Sequence, residues 1–118
     1  MNQADLFREI IATYRKHGWR LERVLVRREI SAEVGAQLQS SGQNPRIGEA
    51  LVDALWFARS SNGGREAWEL RLVAESPYAL LETFEADECE EAREEVRCEM
   101  EARLRDHVAP GQQHALEL

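Results

Sequence analysis

Lysine is almost missing from this sequence. Lys16 stands alone, and the other fourteen cations among the 118 residues are arginine. Arginine recognises anions through a planar fork, but genome composition produces the same bias, so the excess assigns no anion site by itself. Long apolar runs are missing too, so no membrane contact is expected. The start, Met1-Asn2-Gln3-Ala4-Asp5, lacks the basic and apolar stretches of a secretory signal. Cysteine is limited to Cys89 and Cys98. Nine residues apart on one helix, they point to opposite faces and cannot bridge each other. Two reduced thiols fit a soluble, cytoplasmic protein.

Signatures of chemistry are equally scarce. No glycine-rich phosphate loop precedes a helix, no cysteines stand at zinc spacing, and no histidines pair at helical spacing. The expectation is therefore no catalytic residue, no metal ligand and no cofactor, with the question of enzyme activity leaning to no. His17 and His107 fall at helix C-termini, where a cation suits the dipole, and His114 falls in the tail. The acidic run from Glu82 to Glu95 reads as a solvated helix face rather than a metal site.

What is present is charge, unevenly spread. The net charge is −7, yet residues 1–30 carry seven Lys/Arg against four Asp/Glu. The acidic total argues against nucleic acid as a partner, although Arg15, Lys16, Arg20, Arg23, Arg27 and Arg28 form a basic third. The length fits one domain over 1–118, with 110–118 a loosely ordered tail.

Periodicity gives the elements. Leu6, Phe7, Ile10, Ile11 and Tyr14 form one stripe of a first helix, capped by Asn2 or Asp5 and stopped at Gly18. Trp19–Arg28 reads as a strand. Trp19 and Leu21 alternate in one phase, Val24 and Val26 in the other, and a bulge at Glu22-Arg23 would return both pairs to one face. A helical reading of this segment stays open. Ser31 caps a short helix to Gln39, and 40–45 is a loop. Leu51–Val73 reads as a hairpin about a type I′ Asn62-Gly63 turn. That register sets Ser61 opposite Gly64 and Phe57 opposite Trp68. Tyr78–Phe84 is a third strand. A capping pattern at Asp87 and Glu90 opens the last helix, whose stripe is Cys89, Ala92, Val96, Met100, Leu104 and Val108. The fold class is α+β: a three- or four-stranded antiparallel sheet with the central hairpin 51–73. Both terminal helices pack on its Phe57/Trp68 face.

In this register Ala54, Trp56 and Ala58 point to the other face, where Trp56 lies opposite Glu69 and near Arg71. A large aromatic among small neighbours and one charged pair is unusual for a solvated sheet face. The segment after Ser31 would cover it, or a second subunit would, or it would line a small-molecule pocket. The function this suggests is a non-enzymatic protein-interaction or regulatory module. It would self-associate, or bind another protein, through Trp56, Glu69, Arg71, Ala54 and Ala58. The alternative is a small-molecule binder or small enzyme with a cavity between the sheet and a helix or loop.

Overall fold

A computed structural model describes residues 2–108; the tail expected at 110–118, with His114, lies outside the described residues. The first helix, α1 (Gln3–Lys16), is capped by Asn2, whose side chain accepts from the Asp5 N–H at 2.8 Å. Arg15 and Lys16 end it, and Gly18 turns the chain out with φ 87°. The segment in doubt is a strand, β1 (Arg20–Val26). Its register against β3 (Ala54–Ser60) shifts between Leu21 and Arg23, so the bulge sits at Glu22. Trp19, Leu21, Val24 and Val26 thereby share one core cluster with Phe7, Ile10 and Phe57.

The remaining elements are α2 (Ser31–Ser40), β2 (Arg46–Glu49), β4 (Glu66–Leu72), β5 (Ala79–Phe84) and α3 (Glu90–Val108). Together they make an α+β architecture with one five-stranded mixed sheet in the order β2-β1-β3-β4-β5. The expected count of three or four strands omitted β2, which runs parallel to β1 through the α2 crossover. Its four residues, Arg46-Ile47-Gly48-Glu49, are all exposed, so they carry no inward–outward alternation to read. No helix is long and apolar enough to cross a membrane among the described residues.

The hairpin register differs from the expected one by a single residue. The chain does not turn on Asn62-Gly63 alone. Positive φ falls on Gly63 and Gly64, at 69° and 76°, and Ser61 N–H donates to the Arg65 carbonyl at 2.8 Å. The second glycine takes the left-handed conformation without the steric penalty Asn62 would meet, so the loop is one residue longer. Ser60 now pairs with Glu66, Ala58 with Trp68, Trp56 with Leu70 and Phe57 with Glu69. A one-residue slip exchanges the faces. Trp56 and Trp68 share a face, edge to face with ring centroids 5.9 Å apart.

This exchange explains the layering. From Ala54 to Ala58 every residue of β3 is buried, as expected of a strand covered on both sides. One face holds Leu55 and Phe57 beneath α1 and α2. The other holds Ala54, Trp56, Ala58, Trp68 and Leu70 beneath Met100 and Leu104 of α3. The N- and C-terminal helices therefore lie on opposite faces, not on one.

The stripe expected on the last helix also needs correction. Cys89 precedes α3 and is exposed, as is Cys98. Arg97 occupies the buried position instead, 1% exposed, its guanidinium 3.9 Å from the Trp68 ring and 5.2 Å from that of Phe84. A flat cation over ring faces can be buried where an ammonium would not be.

Candidate interaction surface

The five residues expected to form one surface are divided between two. Ala54, Trp56 and Ala58 are fully buried beneath α3, and the Trp56 indole Nε1 donates to Glu101 Oε2 at 2.8 Å. Glu69 and Arg71 are half-buried on the opposite face. There Glu69 accepts a hydrogen bond from the Tyr14 hydroxyl, and Tyr14 stacks on Phe57 with centroids 4.1 Å apart. Burial, then the Glu69 hydrogen bond, pushes the Tyr14 hydroxyl well above its ordinary pKa of 10.

Glu69 and Arg71 mark the border between covered and open sheet. Tyr14 of α1 reaches across Phe57 to Glu69, and beyond it the same face continues as the exposed Ala79, Leu81 and Thr83 of β5. Leu81 lies opposite Glu69 and is 61% exposed. One end of this open strip meets a groove of about 620 Å³ whose lining includes Trp19, Arg20, Arg59, Leu81 and Thr83. Arg59 lies 4.4 Å over the Trp19 ring and donates to the His17 carbonyl at 3.2 Å.

The edge itself follows from the hydrogen-bond phase. Leu72 N–H donates to the Tyr78 carbonyl at 2.9 Å, in register with the β4–β5 ladder. Hydrogen-bonded pairs alternate in an antiparallel ladder, so Leu80, Glu82 and Phe84 turn their amides towards β4. Ala79, Leu81 and Thr83 turn theirs outward. These three residues thus combine uncharged side chains on the open face with outward-facing backbone groups. Glu82 is the only charge in the strand and lies on the α3 side, opposite Trp68. The other edge is blunted by comparison: β2 has four residues with Arg46 and Glu49 at its ends.

Two further features were not legible in the sequence. Arg23 grips Glu94 through two bonds of 2.8 and 3.1 Å, while Arg97 reaches Glu90 at 2.8 Å and Glu94 at 2.9 Å. The Arg23 fork, with Arg97 adding to it, draws the Glu94 carboxyl down to a pKa of about 2, against a smaller opposing effect of burial. This network clasps α3 to β1 across the face. Between α1 and α2 an open groove of about 480 Å³ has Ile11, Ala12 and Leu38 in its lining, with Arg8 and Arg15 beside them. Among the described residues no three His, Cys, Asp or Glu side chains are grouped to hold a metal. Compared with known proteins, the chain matches no family model, no curated relative and no solved structure.

Proposed function

We propose that this chain is a non-enzymatic protein-interaction module that takes up an extended segment by strand addition along β5. The observation that carries this reading is the edge: outward amides at Ala79, Leu81 and Thr83 beside an exposed Leu81. Strand addition draws affinity from main-chain bonds and specificity from alternate side chains, and this edge supplies both. The interaction role expected of Trp56 passes to Leu81, with Glu69 and Arg71 kept as neighbours on the same face. Proline at position 81 removes one outward N–H and leaves the bonds to β4 in place. A displayed library of short random peptides, panned on the chain, should yield binders with alternating apolar residues. They should lose binding to Leu81→Pro while circular dichroism shows the fold retained. Absence of enriched peptides, or equal binding to Leu81→Pro, overturns the reading.

A small-molecule reading has one observation in its favour, the α1–α2 groove, where Ile11, Ala12 and Leu38 lie among polar side chains that include two arginines. Its ligand would be an apolar carboxylate. Arg8 is already engaged by Asp5 at 3.1 Å, which leaves Arg15 as the anion's main partner. Decanoate should raise the melting temperature of the native chain and not of Arg15→Ala. No shift in either disposes of it.

A further inference from the structure

Resting on the strand-addition reading, we infer that the segment β5 takes up is β5 of a second copy, in a two-fold dimer whose axis passes through Leu81. Two identical antiparallel strands extending one sheet can be related only by an axis perpendicular to it. Directly opposed residues must share a face, so that axis falls on a residue. The outward triad Ala79, Leu81 and Thr83 is symmetric about Leu81. Leu81 then exchanges both backbone bonds with Leu81 of the second copy, and Ala79 does so with Thr83 of that copy. All the side chains meeting on this face are uncharged, and the two exposed leucines cover each other across the axis.

The same axis brings α3 beside its own copy. Arg97 lies over Phe84 and Trp68, near one end of β5, and His107 stacks on Tyr78 at the other, with centroids 3.6 Å apart. Leu81 lies between these ends, so the axis passes α3 roughly midway between Arg97 and His107. With Met100 and Leu104 against the sheet, Glu94 and Glu101 form the flank that faces β1 and β3. At about 100° per residue, Glu99 and Arg103 lie on the opposite flank, towards the β5 edge. Glu99 and Arg103 are exposed, one turn apart, and neither has an ion-pair partner among the described residues. A copy of α3 running antiparallel sets Glu99 against Arg103 of the second copy, and Arg103 against its Glu99. Charge complementarity of this reciprocal kind selects a copy of the chain over an arbitrary strand.

Sedimentation of the full chain tests the inference. The native chain should sediment as a dimer at micromolar concentration. Glu99→Arg alone and Arg103→Glu alone should each weaken the dimer roughly tenfold, because each places like charges together twice. The double variant Glu99→Arg/Arg103→Glu should restore it, and Leu81→Pro should give a folded monomer. A native monomer at high concentration overturns the second copy as occupant. If selected peptides still bind that monomer in a Leu81-dependent way, the strand-addition reading stands without it. A dimer that survives Leu81→Pro, or shows no reciprocity between positions 99 and 103, also overturns the inference.

Discussion

The Trp56 indole N–H and the Glu101 carboxylate meet at 2.8 Å between the sheet and α3, on the face that holds Trp68 and Met100. The bond satisfies the one polar atom of a fully buried aromatic side chain and fixes the height of α3 along β3. Trp56→Ala should cost about 3–5 kcal/mol in urea unfolding, and Trp56→Glu should leave little cooperative transition. Glu101→Ala strands a buried donor and should cost about 1–3 kcal/mol. Near-native stability of Trp56→Glu would contradict burial under α3.

How far the sequence carries this fold can be judged at particular residues. The bulge at Glu22 was legible because two apolar pairs of opposite phase can share a core only if one residue is extra. The register of β3 on β4 was not, because Asn62-Gly63-Gly64 contains two glycines and either can supply the left-handed turn. That single ambiguity moved Trp56 from an apparent surface to the core and placed α3 on the wrong face. Arg97 was missed because a helix stripe is read by apolarity, and its guanidinium is buried by ring stacking. Of the proposed strand-addition surface, Glu69 and Arg71 were named, though on the face of Trp56, whereas Leu81 was not. Nothing local in Ala79–Phe84 says that no described strand pairs with its outer side; that depends on the strand order.

The thiols give a simple check of where α3 begins. Cys89 stands just before the helix and Cys98 on its outer side, both exposed. Iodoacetamide should therefore modify both in the native protein at comparable rates. Strong protection of Cys89 would restore it to a buried stripe and contradict the helix start at Glu90.

Asp53 is a buried carboxylate joining three parts of the chain. One oxygen accepts the Arg27 N–H at 2.7 Å; the other accepts Arg27 Nε at 2.9 Å and Gln3 Nε2 at 3.0 Å. The start of α1, the end of β1 and the start of β3 are held at this one side chain. Asp53→Ala should cost about 3 kcal/mol, since several donors lose a charged acceptor together. Asp53→Asn keeps one acceptor oxygen and should lose about half as much. Equal stability of both variants and the native chain would show the cluster to be energetically idle.

Acid should loosen the clasp on α3. The Arg23 fork and Arg97 hold the Glu94 carboxyl near a pKa of about 2, below its ordinary 4.5, and Arg97 lowers Glu90 as well. A carboxyl with a depressed folded-state pKa binds fewer protons folded than unfolded over the interval between the two values. Its stabilisation is therefore complete above pH 4.5 and is lost as the pH falls towards 2. Glu94→Gln cannot be protonated and has only one acceptor oxygen for the Arg23 fork. At neutral pH it should melt below the native chain. The gap should narrow as the pH drops from 4.5 to 2, because the native chain loses the charge the variant never had. Glu94 is 41% exposed at its side chain, so salt should shrink the neutral-pH gap without removing it. Arg23→Met should reproduce the narrowing, since the Arg23 fork is the larger cause of the shift. Melting curves of native chain and Glu94→Gln that stay parallel across this interval would mean that Glu94 titrates as an ordinary surface carboxylate, and that the Arg23 clasp does not persist in solution.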